Sequence, residues 1–194
     1  MASILKVDKI RVTGSDSDAI SFDGNSVATF NNPPTLSTGA MTNAPAFLAK
    51  LSADQDLTSA TDTKMQFDTE VYDTDGKYDH STNYRFTPTV AGTYFLYAQV
   101  DAKSNNNTEL RDFFLVLAKN GSDFYVTRHN LTDNFHNRLA LNLQVTDVAD
   151  SDDYYEVKVY VSDASGNPTL AALEPLGSGN GVASFFGAYK LIGL

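Results

Sequence analysis

The chain contains no cysteine and no tryptophan among its 194 residues, and it carries only 14 Lys and Arg against 24 Asp and Glu. Without cysteine there can be no disulfide, no thiolate nucleophile and no thiolate metal site. The shortage of basic residues leaves a formal net charge of −10. Phosphate binding needs a cationic stripe, so no nucleic acid partner is expected, and anionic membrane surfaces are equally disfavoured. No apolar run approaches the ~20 residues that cross a bilayer, so no membrane insertion is expected. Charges interrupt the apolar residues of "MASILKVDKIRV", which does not read as a signal peptide. The chain therefore reads as a soluble product of a cytoplasm. Helical periodicity is missing as well.

What is present is β-pattern. The 12 Phe and 10 Tyr suit the pleated surface of a sheet. Residues 46–194 read as strands near 46–52, 64–72, 84–87, 92–102, 110–119, 123–128, 138–147, 153–162 and 182–192, at the spacing of a sandwich. Alternation is clean in "RLALNLQVT", where Leu139, Leu141, Leu143 and Val145 share a face, and in "YYEVKVYVS". Residues 1–45 read differently. "ILKVDKIRV", "AISF" and "SVATF" are short strand-like pieces, followed by a Pro-rich linker at 31–45. Pieces this short cannot bury a core within one chain, so they dock on the main domain or pair with copies of themselves. The expected division is a docking or stem segment over 1–45 and a head over 46–194.

Three strands are apolar on both faces. In "TYFLYAQV" the residues Tyr94, Leu96, Ala98 and Val100 oppose Phe95 and Tyr97; in "DFFLVLAK" Phe113, Leu115 and Leu117 oppose Phe114, Val116 and Ala118; in "SFFGAYKLI" Phe185 and Tyr189 oppose Phe186 and Ala188. A sheet buried on both faces needs a further layer. With no helix to supply it, another subunit is the expected partner.

The stretch "DTDGKYDHSTNYRFTPTVAGTYFLY", residues 73–97, begins like a calcium loop. With Gly76 at the sixth position of an EF-hand, Asp73 and Asp75 are in place, but Val71 and Thr82 stand where the first and twelfth ligands belong. The reading that uses every residue is a turn at Gly76, a return to the core at Tyr78 and a Pro-Gly corner before a long aromatic strand. The order Gly76, Tyr78, Asp79, Phe86, Pro88, Gly92, Tyr94 and Phe95 resembles the globular head of complement subcomponent q, one of the tumour-necrosis-factor-like jelly rolls. "PAFLAKLSA" looks like that family's opening strand and "ASFFGAYKLIGL" like its closing one. No collagen-like stalk precedes the head, so no complement function is implied. The segment "ILKVDKIRVTG…AISFDGNSVATFNNP" is similar to the start of tail-fibre and virion proteins of marine phages.

The resemblance implies an all-β jelly-roll sandwich and a homotrimer, with Phe95, Tyr97, Phe114 and Phe186 as candidate interface residues and Phe186 at the axis. Some heads of the family hold calcium near the threefold axis, which makes Asp150, Asp152 and Asp153 cation candidates; otherwise no cofactor is expected. No nucleophile–base pair has the context of an active site, so no enzyme is expected. Recognition is expected in the polar loops 103–109, 119–123 and 128–138, with Asn105, Asn106, Asn107, His129, Asn130, Asn134 and His136 as candidates for a host-surface receptor or glycan. The glycines of 177–181 read as a mobile loop. The function these features imply is a virion structural protein, a tail fibre or tail tip whose residues 1–45 contact other virion proteins. Capsid decoration is the alternative placement, and a secreted lectin-like binder is a further one.

Overall fold

Period-two alternation buries every second residue of a strand, and it organises the computed structural model, which describes residues 9–11, 18–22, 28–30, 43–104, 110–130, 136–164, 168–170, 173–176 and 179–192. The chain divides into two compact units, Met1–Met41 and Thr42–Leu194. In the first, β1 (Lys9–Arg11), β2 (Asp18–Phe22) and β3 (Ala28–Phe30) form an antiparallel sheet in the order β1-β2-β3. Its register aligns Ile10, Ile20 and Phe30 in one row. Most of the linker expected at 31–45 lies outside the described residues.

The second unit runs through β4 (Ala46–Lys50), β5 (Gln55–Asp56), β6 (Thr61–Lys64), β7 (Thr69–Asp73), β8 (Tyr78–Asp79), β9 (Arg85–Phe86) and β10 (Gly92–Lys103). It continues with β11 (Leu110–Lys119), β12 (Ser122–Asn130), β13 (Arg138–Ala149), β14 (Tyr155–Asp163), β15 (Thr169–Leu170), β16 (Leu173–Leu176), β17 (Gly179–Val182) and β18 (Phe185–Lys190). One sheet has the order β5-β15-β10-β18-β4-β7, with β13 also pairing β10; the other has the order β12-β11-β14-β9-β8, with β6 also pairing β14. These are the two antiparallel layers of a jelly roll, as expected.

Two details differ from the sequence reading. The run expected as one strand at 64–72 is two, β6 in one sheet and β7 in the other. Met65 and Phe67 lie between them, fully buried, so the crossing is itself part of the core. The glycines near 177–181 do not form a loop throughout: β16 and β17 pair as a hairpin. Glycine supplies no side-chain alternation, yet its backbone pairs like any other.

The core joins the sheets through stacked aromatics. The Phe47 ring lies 4.6 Å from Tyr78 at 7°, 4.6 Å from Phe86, and 5.0 Å edge-on from Phe186. The Tyr78 hydroxyl donates to the Phe67 carbonyl at 3.1 Å, and that of Tyr94 to the Val90 carbonyl at 2.8 Å. Both rings thus bury their bodies and satisfy their polar ends. Burial pushes the Tyr94 hydroxyl up to about 12. The stretch that opens like a calcium loop is a corner. Gly76 takes a φ of 63°, and the Asp73 carboxylate accepts from the amides of Asp75 and Tyr78.

Phe186 therefore belongs to the core, not to an interface. It is 0% exposed within the single chain, so the expectation that it lies at a subunit axis is corrected. We expect Phe186→Ala to cost about 3–5 kcal/mol in denaturant titration, and Phe186→Glu to abolish cooperative folding. A Phe186→Glu chain that still melted cooperatively would contradict this placement.

Candidate functional site

With Phe186 and Ala188 turned inward, their neighbours Phe185 and Tyr189 face out of the sheet that contains β10. Phe95 and Tyr97 of β10 do the same while Tyr94 and Leu96 are buried. The result is an aromatic strip: Phe95 lies 5.8 Å from Tyr97 and 5.4 Å from Tyr189, and Tyr97 lies 6.2 Å from Phe185. One ladder row crosses five strands as Gln144, Tyr97, Gly187, Leu48 and Tyr72. Gly187 is the residue that lets this row close. A Cβ there would sit 2.5 Å from the Tyr97 ring and hydroxyl, so only glycine allows Tyr97 to lie flat across β18. The Tyr97 hydroxyl then comes within 3.5 Å of the Tyr72 hydroxyl. Burial, and next the contact with Tyr72, raise its pKa above the ordinary tyrosine value.

Two hollows adjoin on this face and share Tyr97 and Phe185. One, of about 420 Å³, is lined by aromatics and by the amides of Gln99, Asn142 and Gln144. The other, of about 350 Å³, is lined by Leu48, Lys50, Val71, Tyr97, Val182 and Phe185. Val71, Tyr72 and Val182 are exposed around them. A second apolar patch lies on β12, the edge strand of the other sheet. Phe124, Tyr125 and Val126 are consecutive and 38%, 44% and 52% exposed, with the two rings 4.6 Å apart.

Three published structures share the arrangement of strands. The structure of murine APRIL matches with a TM-score of 0.52 at 13% identity, over 75% of this chain and 98% of that one. The globular domain of zebrafish complement 1qA gives 0.51 at 11%, over 76% and 97%, and the Eiger TNF of S. frugiperda gives 0.50 at 11%, over 75% and 91%. The fold is that of the tumour-necrosis-factor and complement-q heads. No protein-family model matches the chain, and no curated protein matches it by sequence.

Against that fold the candidate residues separate. Phe95 and Tyr97 come together at the centre of the aromatic strip. Phe114 is on the outer face of the opposite sheet, stacked on Tyr160 at 5.2 Å, so it cannot share an interface patch with them. Val116 and Ala118, on that same face, are buried within the chain itself; Val116 lies in a row with Lys158 and Val126. The second layer that β11 needs is therefore largely supplied by its own neighbours. His129 and Asn130 are exposed but belong to β12, not to a loop. His136 is exposed, and its carbonyl accepts from Leu110 N. Asn105, Asn106, Asn107 and Asn134 lie outside the described residues. Exposed His80 pairs with Glu70 at 2.6 Å.

Asp150, Asp152 and Asp153 form the turn between β13 and β14 but do not converge. Among the described residues, no three His, Asp or Glu side chains gather so as to hold a metal ion. The Asp153 carboxylate accepts from Asn120 Nδ2 at 2.7 Å, from Asp150 N at 2.8 Å and from Lys119 Nζ at 2.9 Å. Lys119 also donates to Asp147 at 2.8 Å, and Tyr155 Oη donates to the same Asp147 oxygen at 2.5 Å. The cluster ties β11 of one sheet to β13 of the other. It also anchors Asn120, whose φ of 53°, with 80° at Gly121, makes a two-residue hairpin turn. Burial opposes the charge on Lys119, yet hydrogen bonds to Asp147 and Asp153 hold its pKa above the ordinary value. Burial likewise opposes the charge on Asp153, and the contacts with Lys119, Asp150 and Asn120 hold its carboxyl below the usual range.

A depressed carboxylate contributes stability that is fully present above about pH 4, its unfolded value, and is lost as pH falls through the folded value. Asp153→Asn should cost about 2 kcal/mol at neutral pH. Its melting temperature should then fall less steeply than that of the wild type between about pH 5 and pH 3. Identical acid profiles for the two proteins would remove the cluster from the account of stability.

Proposed function

We propose that the chain is a homotrimeric virion structural protein whose jelly-roll head binds a surface, in a tail fibre or tail tip. The observation that carries the trimer is the aromatic strip around Tyr97. Contiguous aromatics that stay half-exposed beside apolar hollows mark an interface, and Phe95, Tyr97, Phe185 and Tyr189 are only half-covered by the described residues of their own unit. Closure into a ring needs two different complementary patches on each copy. The strip and the β12 edge at Phe124, Tyr125 and Val126 supply such a pair, so that each copy's edge packs on its neighbour's strip. Removing one buried aromatic from such a contact forfeits about 2–3 kcal/mol, and symmetry applies each loss three times.

The placement on a virus particle is supported by the resemblance of residues 4–33 to the starts of tail-fibre and virion proteins of marine phages and by the short strands of the front sheet. In this reading residues 1–45 attach the head to other virion proteins. The decoration of a capsid would use the same assembly with the front segment on coat subunits. Binding and assembly, without bond chemistry, are the work assigned to the head.

Light scattering tests the assembly. The full chain should have the mass of three copies, and Tyr97→Glu and Val126→Glu should each give folded monomer. Mixed together, the two variants should associate only as pairs, through the one intact contact they can form. A wild-type mass of one chain at micromolar concentration would end the trimer reading. Labelled antibody on intact virions tests the placement. A chain starting at Thr42 should keep its cooperative melt and lose incorporation into particles; incorporation at the wild-type level would refute the role given to the front segment.

A further inference from the structure

We infer that the front sheet of β1, β2 and β3 packs on two further copies of itself, the apolar sides of three sheets meeting around one axis. This rests on the homotrimer proposed above and adds a second contact to it, in the other unit of the chain. The register sorts the residues by side. Ile10, Ile20 and Phe30 make one row, and Phe22 and Ala28 make another two residues along. Between them lies the row Lys9, Ser21 and Thr29, which the pleat puts on the opposite side. Asp18 follows Ile20 on the apolar side, and the oppositely charged Arg11 is its cross-strand neighbour. Among the described residues of this unit, β1, β2 and β3 form a single layer, and an apolar side needs a second layer.

Geometry favours three copies as that layer. Strands lie about 4.8 Å apart, so a three-stranded sheet is about 14 Å wide. Three such sheets set as a triangle leave about 4 Å from each to the axis, close to half the ~10 Å that separates packed sheets. A pair of sheets would cover each other and leave the third copy of a trimer open. Apolar burial is non-directional, so identical rows can converge on one axis. Charge permits the approach, because residues 1–45 carry three basic and four acidic residues, against eleven and twenty in 46–194.

The head supplies the proximity. Residues 31–41 join Phe30 to Thr42, and a chain of that length spans at most about 40 Å. Copies held together by their heads therefore meet at an effective concentration on the order of millimolar. Stable contacts between separate chains take roughly 20–30 residues a side, so the five residues of the two apolar rows close only within an assembled ring. The row Lys9, Ser21 and Thr29 is left outward, open to other virion proteins.

The chain has no cysteine, so a single introduced thiol reports on its neighbours without ambiguity. Ile20→Cys and Ser21→Cys, adjacent on β2 and on opposite sides, are made in the full chain and treated with a short bismaleimide. Ile20→Cys should give at least tenfold more chains cross-linked in pairs than Ser21→Cys, with the melt and the mass of three copies unchanged. Adding Tyr97→Glu should lower the mass and the cross-linking together. Adding Phe30→Asp should cut the cross-linking at least tenfold and keep the mass of three copies, so the front contact and the ring of heads read differently. Equal yields at the two positions in a three-copy particle would overturn the inference and leave the ring standing. Shielding of the Ile20→Cys thiol from a monofunctional maleimide that persists in the Tyr97→Glu monomer would also overturn it, since the chain itself would then cover that side. A wild-type mass of one chain would bring down both.

Discussion

The packing of Phe47 against Tyr78, Phe86 and Phe186 is the contact on which the rest of the head depends. It joins the two sheets, and it sets the parity of the strands that contribute to it. Once Phe186 is inside, the pleat sends Phe185, Gly187 and Tyr189 outward. Once Tyr94 and Leu96 are inside, Phe95 and Tyr97 must follow. The half-buried aromatic strip is therefore a consequence of how the core is filled. A slip of one residue in β18 would exchange the two sets and destroy both surfaces at once.

Gly187 shows how closely core and surface are coupled. Its missing side chain does nothing for the core, yet it lets Tyr97 cross β18 and approach Tyr72. At the end of the sandwich where Tyr94, Tyr155 and Phe86 pack, the charged cluster of Lys119, Asp147 and Asp153 joins the sheets as well. The same Lys119 lies 5.7 Å from the Phe124 ring of the β12 edge patch. The hairpin turn at Asn120–Gly121, which composition alone marks as an adaptable loop, is consequently held by Asp153 and Tyr154. The two sheets end with outer faces of different chemistry. One carries the aromatic strip and its two hollows. The other carries the row of Tyr160, Phe114 and Arg128 beside the row of Ser162, Asp112 and Asn130.

Alternation was enough to determine an all-β chain, most of its strands and, where only one face is apolar, the inward residues Leu141, Leu143, Val157 and Val159; the jelly roll was implied by the family resemblance. Alternation also determined that β10 and β18 are apolar on both sides, because period-two patterns are local and visible in one strand at a time. Which of the two faces meets the opposite sheet is decided only when the strands are assembled, since a run such as "SFFGAY" reads equally well either way. That ambiguity is why Phe186 was expected outside and is found within. Phe114 posed the same problem at the next level, because no pattern along β11 tells which sheet it enters or whether its own neighbours cover its second face. The cluster joining Lys119 to Asp147 and Asp153 spans up to 34 positions, and the row of Ser162, Asp112 and Asn130 draws on three strands. Such groupings come from pairing register and sheet order, which are long-range and exist only in the folded chain.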